Sequence, residues 1–559
     1  MDERLQQSID DLLARDDVWM TRERIENYLE TGEWREKSFV DYIEENARNH
    51  PDREAIIDED GTVTTYGKFD EQANHIAAGL FELGIQPGER IAIQLPNRSE
   101  FLVTLIGAAK AGVLPVLCHL PYTVSDLNYI MELTEARAIF IPDRIKSRDY
   151  VQMAHELKEK HDCLDNIVVL SGQNYENTIR YQTLLETEVS GVASRLEKTR
   201  PVGTDPFFLM FTSGTTGRPK AELQLHANNL YWVNQFNEAC QFPQDARWLL
   251  VTPLAHATGL GVGALGAFYR GATVVLLEAW NVEKAVEVIE RDHPDYFLGA
   301  PPMLIDFARF KGLEERDIGS VKVMAYAGAT CPKDILNTLI KRMNCGIIAF
   351  YGYTEAGVTH CTQPGDSVET TSSSFGRLVD GLEERLVDED ENDLTPPCEG
   401  EMLVRGAGFI PGYYGQPHNT KRMFDPDGWF HSADIVSEDK DGYCTFVSRR
   451  DDLINRGGYK IDPREIEETL YTHPRIGQAA VVAMPDDRLG QRAAVFIVPK
   501  DSGDVMDLEE VTRFLEEKGI GKTHWPEAVQ MINDFPMTST GKFQRYALRE
   551  RAKTLKPQR

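Results

Sequence analysis

Apolar positions along the chain repeat with two periods, and the two take turns. Short apolar runs, such as Glu54-Ala55-Ile56-Ile57-Asp58, Arg90-Ile91-Ala92-Ile93, Phe207-Phe208-Leu209-Met210 and Trp248-Leu249-Leu250-Val251, have the length and β-branched or aromatic content of buried strands. Between them lie stretches with helical spacing, over 69–83 and 100–111. Helices alternating with strands predict a largely parallel α/β sheet. Two further strands, Val321 to Tyr326 and Gly346 to Phe350, each run into a glycine-bearing loop. From 376 to 448 the pattern changes to short strands between turns, with the acidic run Asp388 to Asp393 as a solvated hairpin. Residues beyond 451 predict a compact α+β unit, with helices over 463–471 and 508–518 and strands over 479–483 and 493–498.

At 559 residues and 42% apolar content the chain can bury large cores and divides into at least two domains. Its formal charge of -29 argues against nucleic acid or an anionic membrane as partner. The eight cysteines include no C-x-x-C pair, so reduced, mostly buried thiols are expected and no zinc site. No secretory signal is read at the charged amino terminus, and the run from Val103 to Leu120 is broken by Lys110 and Pro115. The expectation is a cytoplasmic protein without a membrane span, as monomer or homodimer.

The candidate chemistry starts where Phe207 to Met210 enters Phe211-Thr212-Ser213-Gly214-Thr215-Thr216-Gly217-Arg218-Pro219-Lys220. Glycine lets backbone N–H groups approach an anion, and the hydroxyls and the Lys220 ammonium add donors, so this segment suits phosphate. Pro219 between Gly217 and Lys220 excludes the Walker pattern. A second match, Gly261-Val262-Gly263-Ala264-Leu265-Gly266, fits the dinucleotide fingerprint, but it does not start at a strand end and no acid follows at the ribose-binding distance. Close packing of a helix explains those glycines better.

The order of residues 211–220 resembles the phosphate loop of the adenylate-forming superfamily: acyl-CoA and aryl-CoA synthetases, carrier-protein adenylation domains and beetle luciferases. Further segments carry the likeness: Pro253-x-x-His256-x-x-Gly259, Ala327-Gly328-Ala329-Thr330, Tyr351-Gly352-Tyr353-Thr354-Glu355, Gly412-Tyr413-Tyr414, Ser432-Ala433-Asp434 where Thr-Gly-Asp is usual, Arg449 with Asp451, Asn455 to Lys460, and Pro536-x-Thr538-x-x-Gly541-Lys542. The resemblance spans about residues 40 to 550. It implies an α/β fold with a large N-terminal domain over 1–450, a β-barrel-like subdomain over 376–450, and a small mobile α+β C-terminal domain over 451–559.

The resemblance also implies an enzyme using ATP, Mg²⁺ and CoA, or a carrier-protein thiol, on a small carboxylic acid. Thr212, Ser213, Gly214, Thr215, Thr216, Gly217 and Lys220 are then phosphate-binding. Gly328, Ala329, Tyr351, Gly352, Asp434 and Arg449 hold the nucleotide, with Asp434 on the ribose. Thr354 and Glu355 serve catalysis, Glu355 through Mg²⁺; His256 gates the acid and thiol. Lys542 drives adenylation, Asp451 is the hinge, and Gly457, Gly458 and Lys460 line the thiol path. Ala257 stands where relatives acting on dihydroxybenzoate have asparagine, which disfavours a catechol acid. A medium-sized aromatic or alicyclic acid is the first expectation. The alternatives are aryl-acid loading of a carrier protein and medium-chain fatty acid–CoA ligation.

Overall fold

The computed structural model describes residues 3–212, 219–450, 452–457, 459–486, 488–501, 503–537 and 544–558, with the side chains of Tyr459 and Lys460 outside that description. Two large sheets dominate. The seven-stranded sheet has the order Lys220–Leu225, Pro206–Thr212, Leu114–Leu117, Arg90–Ile93, Ala138–Pro142, Asn166–Leu170, Ile179–Arg180. All of its pairings are parallel except the first, where Pro206–Thr212 and Lys220–Leu225 form an antiparallel hairpin with Thr212 opposite Lys220.

In the nine-stranded sheet the order is Arg377–Leu378, Gly357–Cys361, Gly346–Tyr353, Val323–Tyr326, Tyr296–Gly299, Arg247–Leu250, Thr273–Leu276, Glu54–Ile57, Val63–Thr65. Its middle is parallel and both margins are antiparallel. Parallel strands need both faces covered, and the alternating helices supply that cover. The helix Tyr66–Glu82, for example, starts at a Thr65 cap whose side chain accepts from the Lys68 N–H and buries Phe69, Ala73, Ile76 and Leu80.

A third sheet follows, four antiparallel strands in chain order: Glu383–Val387, Cys398–Arg405, Phe430–Glu438, Cys444–Arg449. An isolated backbone bridge joins Gly376 to Cys444 in its last strand. The Asp388 loop is an exposed hairpin closed on the Asp388 carboxylate, which accepts from the N–H groups of Asp390 and Asn392. Residues after 452 build a separate α+β core around the long hairpin Ile476–Asp486 and Gly490–Pro499, with Ala528–Met531 added in parallel.

Two elements differ from the sequence reading. The strand from Gly346 runs on through Tyr353, so Tyr351 and Gly352 are strand residues and not loop residues. The reason is the hairpin with Gly357–Cys361: a Cβ on Gly352 would stand 1.8 Å from the Gly357 carbonyl oxygen, and only glycine admits that approach. The stretch Gly261 to Gly266 lies in a π-helical turn, Thr258–Leu265, running into the helix Gly266–Tyr269. Its glycines pack, as read: a Cβ on Gly261 would lie 2.2 Å from the Trp232 ring.

Candidate active site

Parallel strands place ligands outside their carboxyl ends. The strand ends in question are Thr212, Tyr326 before Ala327 to Thr330, and Tyr353 before Thr354 and Glu355; the last two belong to neighbouring parallel strands, and Thr212 and Glu355 both lie close to Glu222. Gly328 has φ +91° with open space where a Cβ would point, and Ala329 is exposed, so this loop is free to line a ligand. Ser213, Gly214, Thr215, Thr216 and Gly217 lie outside the described residues, as do Asp451, Gly458 and Lys542.

Lys220 is buried at the start of its strand, its Nζ 5.1 Å from the centre of the Tyr413 ring. Burial pushes its pKa below the usual lysine range, opposed by the nearby Glu355 carboxylate. Glu355 is also buried, and Oε1 accepts from the Tyr413 hydroxyl at 2.6 Å. The Gly412-Tyr413-Tyr414 segment therefore supplies a side chain to the site. Thr354 contributes its carbonyl, which accepts from Gln224 Nε2 at 2.8 Å.

Sequence reasoning missed the strand Lys220–Leu225 and the residues it brings. Glu222 and Gln224 are buried on it, and Gln224 Oε1 accepts from the amides of Asn228 and Asn229 at 3.1 and 2.9 Å. Burial, then the like charge of Glu355, hold the Glu222 carboxyl well above its ordinary 4.5. Its Oε1 has no hydrogen-bond partner among the described residues. A carboxyl with a raised folded pKa favours the fold below its unfolded pKa and loses that contribution as pH rises through the folded value. Glu222→Gln should therefore stabilise the unliganded protein increasingly above about pH 4.5, by up to about 1.4 kcal/mol per pH unit, until the wild-type carboxyl ionises. Parallel thermal melts from pH 4 to 8 check this; a difference independent of pH would contradict it.

On the opposite side, Asp434 is buried in Phe430–Glu438 directly across from Arg449. Arg449 Nε donates to Asp434 Oδ1 at 2.7 Å, and the Tyr351 hydroxyl donates to Oδ2. Desolvation raises the Asp434 pKa, with Arg449 opposing it, and Arg449 itself stays fully charged, its pKa raised by Asp434. One face of Tyr351 stacks on Phe375, centroids 4.3 Å apart at 23°. A carboxylate has four acceptor lone pairs, so these two contacts leave capacity for a diol.

His256 sits at the entry to the π-helical turn. Its Nδ1 accepts from the Thr258 N–H at 3.1 Å, so the neutral ring carries its proton on Nε2. The His119 ring, centroid 6.2 Å away, is buried and held neutral by desolvation, its pKa lowered to about 4. No pattern marked His119. Gly457 has φ +59° and its N–H donates to the Leu489 carbonyl, while Lys460 pairs through its backbone with Asn455.

The open Gly328 loop after a parallel strand, the buried Lys220 near Glu355 and Glu222, and the Asp434–Arg449 pair on a third sheet are groups suited to a nucleotide and its phosphates. The chain belongs to the AMP-binding enzyme family: that family matches residues 43–414, and the AMP-binding enzyme C-terminal domain matches 465–542. It is 30% identical over 530 residues to a medium-chain fatty-acid–CoA ligase of Escherichia coli K12, covering 94% of this chain and 92% of that one. It is 31% identical over 530 residues to a 2,3-dihydroxybenzoate-AMP ligase of Bacillus subtilis, covering 94% and 96%. Among solved structures, apo MbtA of Mycobacterium smegmatis superposes with a TM-score of 0.72 at 30% identity, covering 96% and 99%. The protein is thus an AMP-forming acid–thiol ligase of the adenylate-forming superfamily that uses ATP. No helix of the described residues is long and apolar enough to cross a membrane.

Proposed function

We propose that this ligase joins a medium-sized aromatic or alicyclic acid to the thiol of CoA through an acyl adenylate. The observation that carries the size class is Trp232. Its ring fills the space between Gly261 of the π-helical turn and Gly357, where added Cβ atoms would lie 2.2 and 2.1 Å from the indole. Behind it Phe236 packs on Phe242 and Phe350, centroids 5.5 and 5.2 Å away. An acid bound beside His256, at the start of the same π-helical turn, would find this space filled, which favours a compact ring over an extended chain. Ala257 offers no amide to a catechol hydroxyl, which speaks against dihydroxybenzoate.

A carboxylic acid with pKa near 4 is already ionised at neutral pH and needs no base to attack the α-phosphate. Repulsion between two anions is the barrier. Thr212 and Lys220 lie at the mouth of the phosphate loop and Lys542 comes from the C-terminal domain, so positive charge gathers where pyrophosphate leaves. Glu355 offers the hard oxygen that Mg²⁺ prefers, and the ion would screen the phosphate oxygens. Asp434 and Arg449 orient the ribose, with Tyr351 against the purine. Asp451 is the pivot that withdraws Lys542 and brings Gly457, Gly458 and Lys460 to the thiol path, leaving a site that excludes water while sulfur attacks. The domain limits follow from that pivot, 1–450 and 451–559.

Incubation with ATP, Mg²⁺, free CoA and a panel of acids, read by AMP and thioester, tests the proposal. Benzoate- and cyclohexane-sized acids should lead. Trp232→Ala should move preference toward longer acids by about 10–200-fold in relative kcat/KM per discriminating step. AMP release only with a carrier-protein acceptor, or best turnover on medium-chain fatty acids in the wild type, would overturn it.

A further inference from the structure

We propose that His360, Glu384 and Cys444 form a binding site for a divalent ion of the zinc class, tying the edge of the nine-stranded sheet to the short-strand sheet. The three come from three strands, Gly357–Cys361, Glu383–Val387 and Cys444–Arg449, far apart in sequence, so cysteine spacing gave no sign of them. Their ligand atoms lie within 4.8 Å of one another. His360 Nε2 stands 2.7 Å from Glu384 Oε2, and Cys444 Sγ stands 3.9 Å from Glu384 Oε1. Tetrahedral zinc, with bonds of about 2.0 Å to nitrogen or oxygen and 2.3 Å to sulfur, sets its ligand atoms roughly 3.3–3.7 Å apart. The observed separations straddle that range, so modest side-chain rotation completes the three-ligand arrangement. His360 and Cys444 are fully buried and Glu384 is nearly so, on strands that hold them in place.

The imidazole is already oriented for a metal. The Thr359 hydroxyl lies 3.0 Å from His360 Nδ1 and 3.5 Å from the Tyr351 carbonyl. In the tautomer whose Nδ1–H donates to the Thr359 hydroxyl, the Nε2 lone pair faces the Glu384 carboxylate and a metal ion can take the place between them; in the other, Nε2–H donates to Glu384. Glu438 adds a second carboxylate beside Glu384 and Cys444, since Cys398, Glu438 and Cys444 lie side by side across three strands. Negative charge in excess around a thiol and an imidazole is the donor set that zinc takes. On binding, the Cys444 thiol loses its proton to solvent as the sulfur–metal bond forms. His360 also packs edge-on against Tyr351 and Phe375, with centroids 6.1 and 5.2 Å away, so the ion would brace that ring pair from behind.

The test reads metal and not catalysis. Full-length protein is analysed for zinc as purified, then stripped with chelator and titrated with Zn²⁺ while its melting temperature is followed, and with Co²⁺ while thiolate-to-cobalt absorption is followed. One equivalent per chain, a rise in Tm on zinc addition and a charge-transfer band lost in Cys444→Ser are expected. Thr359→Val, which removes only the partner of Nδ1, should weaken zinc binding by about 10–100-fold. Wild-type protein that takes up neither ion, a band that survives Cys444→Ser, or zinc affinity unchanged in Thr359→Val would each overturn the site; the first would mean that a proton alone bridges His360 and Glu384.

Discussion

Lys542→Ala is expected to abolish acid-dependent exchange of labelled pyrophosphate into ATP, while thioester still forms from a supplied acyl adenylate. In adenylation two anions meet and a third, pyrophosphate, departs. A positioned ammonium stabilises the charge that develops on the leaving group, and removing such a donor costs about 10²–10³-fold in rate. Attack of the thiol on the adenylate displaces AMP and develops charge elsewhere, and in the proposed cycle the C-terminal domain has by then carried the lysine away. The two half-reactions should therefore separate by at least the same factor. Pyrophosphate exchange measured beside single-turnover thioester formation decides it, and equal losses in both would remove the two-conformation scheme. Lys220 cannot substitute. It is buried at the root of the hairpin, beside Tyr413 and Glu355, and its position is set by a strand pair.

What the sequence disclosed of this molecule follows a physical boundary. Strands buried on both faces are continuous apolar runs, and those at Arg90, Phe207 and Trp248 were legible for that reason. The strand Lys220–Leu225 was not, because the polar side chains of Glu222 and Gln224 interrupt its apolar run. The extension of Gly346–Tyr353 was hidden by Gly352, whose meaning depends on Gly357 across the hairpin. Asp434 and Arg449 were singled out through motif likeness, but their direct pairing is a matter of sheet register. Tyr413 was given no part in the site because nothing local points its hydroxyl at Glu355, more than fifty residues away. His119 had no signal of any kind: an imidazole after an apolar strand has the pattern of a core residue until the fold sets it beside His256. Local pattern thus carried the layers and the strand ends, whereas side chains meeting from distant strands had to come from the fold.

Glu355→Gln should lower the adenylation rate constant by about 10²–10³-fold at ordinary Mg²⁺, without loss of the fold. The amide keeps the volume of the carboxylate and still presents an oxygen to the Tyr413 hydroxyl, so the buried hydrogen bond survives and Tm should change little. What disappears is the negative charge that suits a hard divalent ion, so half-saturation should move to higher Mg²⁺ and excess Mg²⁺ should not restore the maximal rate. The same substitution has a second consequence that needs no substrate. Glu355 is one cause of the raised Glu222 pKa, and removing its charge lets Glu222 ionise at lower pH. The pH-dependent stability gain of Glu222→Gln should therefore shrink in the Glu355→Gln background, a coupling measurable as a double-mutant cycle of melts. A Glu355→Gln enzyme with wild-type rate and wild-type Mg²⁺ dependence would take this carboxylate out of the chemistry, and an unchanged Glu222 effect would mean the two acids do not share a field.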